Sequence, residues 1–243
     1  MSFKTGIILT KEFIQQLRTL SLPDGINAIA NLFPGQIVFS SSLGLEDQVL
    51  TDAIFRNDIP VKIFTIDTGR LFNETYETLD KTLARYKKNI AVYFPDAADV
   101  EEFVLTKGVN SFYESVENRK TCCHIRKVLP LTRALSGAKV WITGLRAEQS
   151  TNRIDMPMIK WDEKKELYKF NPLIQWTEQE VMDYIKQNKV PYNTLHDQGF
   201  PSIGCAPCTR AVQAGEDARA GRWWWESSQK ECGLHQTLIK EKI

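Results

Sequence analysis

Residues 36–47 read Gln-Ile-Val-Phe-Ser-Ser-Ser-Leu-Gly-Leu-Glu-Asp and hold the pattern that decides the fold. The apolar run at 37–39 is rich in β-favouring residues and predicts a short buried strand. Three serines follow it directly, and apolar residues at helical spacing then continue through Phe55. A strand that leads straight into a polar loop and a helix is the repeating unit of a parallel α/β sheet.

The same alternation continues along the chain. Helices and strands are predicted in turn at 11–20, 61–66, 74–86, 90–94, after Pro95, at 125–135 and at 139–143. The predicted fold class is therefore α/β, with a parallel sheet flanked by helices on both faces.

The pattern changes after Arg153. Two short runs at 158–161 and 167–170 flank a charged connector and predict a small hairpin. Thr177 and Glu180 form a capping box, which predicts the start of a helix.

Three of the predicted strands end in polar loops that contain glycine or serine. These loops are the triple serine Ser40, Ser41 and Ser42, the Asp-Thr-Gly-Arg sequence at 67–70, and Gly-Leu-Arg at 144–146. Ligands of parallel sheets bind beyond the carboxyl ends of the strands, so we expect one shared pocket here. Each loop taken singly also fits an ordinary strand-to-helix turn.

The triple-serine loop is a candidate anion site. Its hydroxyls, its backbone N–H groups and the following helix N-terminus would all donate to an anion. The loop lacks the glycine spacing and the lysine of a Walker loop. Serines that simply cap the helix are the alternative.

The chain has five cysteines, and four of them fall in two distant pairs. Cys122 and Cys123 are adjacent, which requires a bent or helical segment to aim both sulfurs at one site. Cys205 and Cys208 form a Cys-x-x-Cys turn. Four thiolates from two segments suit either a tetrahedral zinc ion or a four-iron cluster.

The fifth cysteine, Cys232, stands alone near the C-terminus. Lys230 and His235 favour its thiolate, whereas Glu231 opposes it. It is either a reactive thiol or an incidental surface cysteine.

Cationic side chains are concentrated in the second half of the chain, at Lys127, Arg146, Arg153, Arg219 and Arg222. Arginine forks suit phosphate and sulfate oxygens, although a single surface arginine is usually solvated. The tryptophan triplet at 223–225 is interpreted as a set of core or interface anchors.

Composition narrows the classes of partner. With 31 basic and 30 acidic residues in 243, the chain has no global positive field, so no nucleic-acid partner is expected. No apolar run reaches the length of a membrane span or a signal peptide, so no membrane partner is expected. The cysteine usage then predicts a cytoplasmic protein with reduced thiols.

Together these motifs resemble the assimilatory adenylylsulfate reductases, the iron–sulfur branch of the sulfonucleotide reductases. The resemblance covers about residues 37–235. It is carried by Ser40–Ser42, 67–70, Cys122-Cys123 with Arg126 and Lys127, 144–146, 205–210, 221–226 and the Glu-Cys-Gly-Leu-His sequence at 231–235.

The resemblance implies a fold, a reaction and a set of roles. The fold would be adenine-nucleotide α-hydrolase-like, with a modified phosphate loop at 40–47, a single nucleotide- and cluster-binding domain at 1–225 and a mobile segment at 226–243. Cys232 would attack the sulfur of adenosine 5′-phosphosulfate, and thioredoxin or glutaredoxin would release sulfite from the resulting S-sulfocysteine. Cys122, Cys123, Cys205 and Cys208 would hold a [4Fe-4S] cluster that tunes the substrate site. The substrate would be bound by Ser40, Ser41, Ser42, Thr68, Lys127, Gly144, Arg153, Arg219, Arg222 and His235.

Several alternatives remain open. The Leu43-Gly44 insertion makes the serine loop similar to that of the branch that uses 3′-phosphoadenosine 5′-phosphosulfate, so that nucleotide, or both, is a second substrate candidate. No thioredoxin-like domain follows His235, so the reductant is expected to be a separate protein. A homo-oligomer is left open. A tRNA-thiolating enzyme would need a different loop and a basic surface, and a zinc-stabilised binding module with an incidental Cys232 is the non-enzymatic alternative.

Overall fold

The computed structural model describes residues 9–150 and 153–226. Cys232, His235 and all of the predicted mobile segment except Glu226 therefore lie outside the described residues. Helix α1 (Lys11–Leu17) is shorter than the predicted 11–20, and α2 (Leu22–Leu32) follows it. No pattern noted above predicts α2, although Ser21 caps it and Pro23 lies in its first turn, both common helix-start signals.

One six-stranded sheet, ordered β3-β2-β1-β4-β6-β5, forms the centre of the described chain. Its strands are β1 (Ile37–Ser40), β2 (Lys62–Ile66), β3 (Ala91–Tyr93), β4 (Val140–Ile142), β5 (Ile159–Asp162) and β6 (Leu167–Phe170). All neighbours pair in parallel except β5 with β6. The predicted hairpin is confirmed, and its second strand also joins the main sheet beside β4.

Helices connect and cover the strands. After α2 they are α3 (Leu45–Arg56), α4 (Asn73–Tyr86), α5 (Ala97–Lys107), α6 (Val116–Cys123), α7 (Leu129–Ala134) and α8 (Glu178–Asn188). The predicted capping box at the start of α8 is confirmed. Among the described residues, no helix is both long enough and apolar enough to cross a membrane.

The apolar residues of the sheet alternate between two separate cores. Ile37 and Phe39 of β1 pack into the core that includes α2, α3 and α8. Val38, between them, packs with Trp141 of β4 and Leu131 of α7 in the other core. The central strands β1 and β4 are thus buried on both faces, as a parallel sheet requires, and the loops at the carboxyl ends of the strands are left to form a site.

Candidate functional site

A cavity of about 600 Å³ lies at the carboxyl ends of β1, β2 and β4. Every described member of the predicted substrate set lines it: Ser40, Ser41, Ser42, Thr68, Lys127, Gly144, Arg153, Arg219 and Arg222. The three polar loops that the sequence places after separate strands therefore do share one pocket.

The serine loop is organised around a buried carboxylate. Asp47 accepts hydrogen bonds from the Ser42 backbone N–H at 2.5 Å and from the Ser42 hydroxyl at 2.6 Å. Both Ser42 donors are therefore engaged by Asp47, although Ser42 also lines the cavity. Ser40 Oγ and Ser41 Oγ each accept one hydrogen bond, from Trp141 and Leu43, and keep their own hydroxyl protons to donate.

Burial sets the electrostatics of this loop. It raises the pKa of Asp47 to about 6, against the lowering effect of the hydrogen bonds from Ser42 and from the Gly144 backbone. A side chain at Gly144 would force Asp47 to move, because a Cβ there would lie 2.1 Å from Asp47 Oδ1. The residue that lines the cavity at the end of β4 thus also braces the serine loop after β1.

The arginines of the cavity differ in what they already bind. Arg146 is buried and makes ion pairs with Glu46 at 2.7 Å and Glu148 at 3.0 Å, so its charge is largely compensated. Arg153 is also buried and donates to Gln149 at 2.6 Å. Arg222 lies so close to Gly204 that a Cβ on that glycine would meet its guanidinium at 2.3 Å, and its buried Nε has no hydrogen-bond partner among the described residues.

The two cysteine pairs converge on a second, much smaller cavity next to the first. Cys122, Cys123, Cys205 and Cys208 all line it, and Trp223 packs against them with only 1% of its surface exposed. Trp224, by contrast, is 41% exposed, so the anchoring role predicted for the triplet is met by Trp223 and not by Trp224.

Local structure aims both pairs inward. Cys122 and Cys123 end α6, and a π-helical turn, His124–Val128, follows them directly. Such turns often occur at functional sites, and this one meets the predicted need for a bent or helical segment. A 3₁₀ turn, Ala206–Cys208, carries the other pair and is held by the Ala206 N–H, which donates to the Arg70 carbonyl at 2.8 Å.

The surroundings of the thiols are cationic. Arg70, Arg119, Arg126 and Lys127 line the cysteine cavity. Burial, followed by the charge of Cys205, raises the pKa of the Cys208 thiol to about 12, whereas Lys127 and Arg222 act to lower it. Burial also raises the pKa of Cys122, and Arg126 opposes this. Thiolates are therefore disfavoured here unless a cation compensates them.

Two residues connect the cysteine cavity with the large one. Lys127 lines both. Thr68 lines the large cavity, and its hydroxyl lies 3.3 Å from Cys205 Sγ in hydrogen-bonding geometry. A charge placed among the cysteines would therefore be sensed in the large cavity.

Two further cavity residues, Asp47 and His196, are absent from the predicted set. Asp47 ends the serine loop at 40–47, and an acidic residue at the start of a helix is common enough to attract no notice in the sequence. His196 lies in a 3₁₀ turn, Thr194–Gln198, and no motif surrounds it. Both Asp47 and His196 line the large cavity.

Within the described ranges, no group of three or more His, Cys, Asp or Glu residues is arranged to hold a metal ion. The donor chemistry nevertheless suits a thiolate-ligated group, since four cysteines from two segments meet inside a ring of cationic side chains.

A six-stranded α/β sheet with a cavity at the strand ends and a serine loop after β1 places the chain in the adenine-nucleotide α-hydrolase-like class. The family model described as the phosphoadenosine phosphosulfate reductase domain matches residues 36–211. The chain belongs to this family.

Individual relatives point to the same family. The chain is 52% identical over 201 residues to adenosine 5′-phosphosulfate reductase of Allochromatium vinosum, which covers 82% of this chain and 78% of the relative. It is 47% identical over 240 residues to the Burkholderia cepacia protein of the same name, with 98% and 95% covered. The crystal structure of phosphoadenylyl-sulfate reductase from Candida auris in a phosphate complex matches with a TM-score of 0.70 and 31% identity, over 85% of this chain and all of the other.

Proposed function

We propose that this protein reduces adenosine 5′-phosphosulfate to sulfite and AMP in sulfate assimilation, as a cytoplasmic oxidoreductase that acts on a sulfur group. One observation carries the proposal. The large cavity gathers hydroxyl and backbone groups from the ends of three strands and cationic side chains from other segments, and it adjoins four clustered cysteines. Relatives that share about half of the sequence bear the name of this activity.

The chain's own cations explain how an anionic substrate meets a thiolate. The phosphosulfate carries several negative charges, which repel an incoming nucleophile. Lys127, Arg219 and Arg222 line one cavity and offset that repulsion. Their stabilising effect is largest where negative charge builds up in the transition state. Removing one donor of this kind costs about 10²-fold or more in rate.

Cys232 is the proposed nucleophile. Its thiolate attacks the sulfur of the substrate, the bond from that sulfur to the phosphate oxygen breaks, and AMP leaves. The enzyme then carries an S-sulfocysteine. A thiol of thioredoxin or glutaredoxin attacks the Cys232 sulfur and expels sulfite, and its second thiol resolves the mixed disulfide, so that the reductant dithiol supplies both electrons.

The same proposal assigns Cys122, Cys123, Cys205 and Cys208 as ligands of a [4Fe-4S] cluster. The four thiols and the cationic ring around them suit the net negative charge of such a cluster. Bound there, such a cluster would supply a compact charged group beside the substrate cavity, on the side where Lys127 lines both cavities.

Mass spectrometry of the intact protein tests the reaction. Incubation with adenosine 5′-phosphosulfate and no reductant is expected to add one sulfonate to the peptide that holds Cys232, and addition of thioredoxin is expected to remove it. Cys232→Ser is expected to abolish the adduct. An adduct that persists in this variant, or none in the wild type, would contradict the mechanism.

Metal analysis of anaerobically purified protein tests the cluster separately. Iron and sulfide in about a 4:4 ratio are expected, with loss of both in Cys205→Ser. Zinc in place of iron would contradict the cluster and favour a zinc-stabilised module. Turnover compared with and without a 3′-phosphate on the nucleotide identifies the preferred substrate.

A further inference from the structure

We propose that His196 binds the substrate and that its imidazole hydrogen-bonds the nucleoside part of the nucleotide. This inference rests on the proposed function, because it takes the large cavity to be the nucleotide site. His196 lines that cavity and belongs to none of the motifs discussed above.

The imidazole nitrogens of His196 make no hydrogen bond to the part of the chain that the structure describes. Both Nδ1 and Nε2 are shielded from solvent and unpaired among the described residues. An unpaired buried polar atom destabilises the folded protein, and such atoms are few in native proteins. The Phe200 backbone lies close enough to favour the protonated ring, but it does not complete a hydrogen bond. A partner supplied by a ligand would remove this cost.

The ring can present a nitrogen to the cavity without any movement of the backbone. A half-turn about the Cβ–Cγ bond exchanges each ring nitrogen with a ring carbon. Among the described residues, neither nitrogen makes a hydrogen bond that this rotation would break. The ligand-free ring is therefore free to turn towards a partner in the cavity.

The turn that carries His196 is otherwise rigid. Asn193, which is buried, accepts from the Leu195 N–H at 3.0 Å and donates to Thr75 Oγ1 at 3.1 Å. Leu195 is buried as well. Since the residues just before it are fixed, the backbone of His196 is held at the cavity wall, which lowers the entropy cost of a ligand contact.

Charges around the ring select a neutral part of the ligand. Glu46 and Asp197 both act on His196; Glu46 is compensated by Arg146, and the carboxylate of Asp197 disfavours a phosphate or sulfate beside the ring. Lys127 and Arg222 act instead on Cys208, at the cysteine end of the cavity. Burial lowers the pKa of His196, so at neutral pH the ring is uncharged and offers one donor and one acceptor. A ribose hydroxyl or a base edge has the matching groups.

Calorimetric titration with AMP, adenosine and inorganic pyrophosphate tests the inference. His196→Phe keeps the ring but removes both nitrogens, and it is expected to weaken AMP and adenosine each by about ten-fold, the effect of one hydrogen bond. Pyrophosphate affinity is expected to be unchanged. His196→Gln, which restores a donor and an acceptor, is expected to recover most of the loss. Gln198→Ala, on the same turn and exposed, is the matched control.

Two additional readouts separate binding from a structural role. The ligand-free His196→Phe protein is expected to melt at the wild-type temperature or above it, because unpaired polar atoms have been removed. In wild-type protein with ¹⁵N-labelled histidine, AMP is expected to shift the ¹⁵N NMR signals of the His196 ring. This measurement requires no variant.

Distinct results overturn the inference. AMP affinity within two-fold of wild type in His196→Phe, an unshifted ring, or a loss confined to pyrophosphate would each do so. If wild-type protein itself fails to bind AMP, the proposed function fails first.

Discussion

At the scale of single residues, the contact between Gly144 and Asp47 links two loops of the cavity. A Cβ at position 144 would lie 2.1 Å from Asp47 Oδ1 and 3.1 Å from Glu46 Cβ. Gly144→Ala is therefore expected to displace Asp47, to lower the free energy of unfolding by about 1–3 kcal/mol, as overpacked sites do, and to weaken AMP binding. Urea denaturation and calorimetry measure the two effects.

Gly25→Ala is the matched control. Gly25 lies inside α2, and a Cβ there would meet only the Leu17 carbonyl, at an ordinary 3.9 Å. This substitution is expected to stabilise the protein by about 0.5–1 kcal/mol through helix propensity, with AMP binding unchanged. Equal effects of the two substitutions would show that the contact with Asp47 is unimportant.

Asp47 also gives a pH dependence of definite sign. Its pKa of about 6 in the folded protein exceeds the ordinary value of 3.8, so between these values the folded state binds the proton more tightly. The stabilisation that Asp47 contributes through this raised pKa is therefore at its full value below pH 4, is lost as the pH rises to 6, and does not change further above that.

Asp47→Asn removes this titration. The free energy of unfolding of the variant minus that of wild type is expected to increase by about 3 kcal/mol from pH 4 to pH 7.5. Urea denaturation at the two pH values measures the shift, and Asp80→Asn, at an exposed site, serves as the control. A difference between Asp47→Asn and wild type that does not change with pH would refute the prediction.

At the scale of secondary structure, a buried ion pair fixes α6 to the end of the described chain. Arg119 donates to both carboxylate oxygens of Glu226, at 2.9 and 2.8 Å, and the two side chains are only 4% and 3% exposed. Arg119 also lies over the Trp223 ring at 4.7 Å. The helix that carries Cys122 and Cys123 is thereby tied to residue 226, six residues before Cys232.

Breaking this pair is expected to be costly because one buried charge would be left without its partner. Glu226→Gln or Arg119→Met is expected to lower the free energy of unfolding by about 3–5 kcal/mol, and the double variant by much less than the sum. Urea denaturation of the full cycle measures this coupling.

The exposed pair Lys81–Glu77 provides the comparison, with side chains 54% and 59% exposed. Its removal is expected to cost less than about 1 kcal/mol. Strictly additive effects at Arg119 and Glu226 would show that the pair does not hold α6.

At the scale of the whole molecule, the sequence predicts the sheet better than it predicts the site. The central strands β1 and β4 follow from apolar runs, since a strand buried on both faces needs such a run. The hairpin follows from its charged connector, but its place beside β4 depends on long-range pairing that no local pattern encodes.

The site shows the same division. Cysteine spacing and the cluster of basic residues indicate which residues meet, and the described ones do meet. Which donors remain available depends on the fold. Glu46 compensates Arg146 from 100 residues away, and Asp47 takes both donors of Ser42. The sequence does not single out His196, because no motif surrounds it and only the fold places it in the cavity wall.

A cavity assembled from distant segments makes a final prediction about global stability. Loops after β1, β2 and β4 and the segment from His196 to Arg222 come together only in the folded chain. AMP should therefore bind the folded state alone and stabilise it by about 2.7 kcal/mol at 100 times its dissociation constant, which raises Tm by several degrees. Thermal melting at increasing AMP concentration measures this shift.

The cationic end of the cavity supplies the variants for this experiment. Lys127→Ala and Arg222→Ala are each expected to lose most of the AMP-induced shift in Tm, because both residues line the cavity. Lys120→Ala, an exposed position on the neighbouring helix α6, is expected to keep it. If AMP shifts all of these proteins equally, it binds outside this cavity, and the nucleotide site must be sought elsewhere on the molecule.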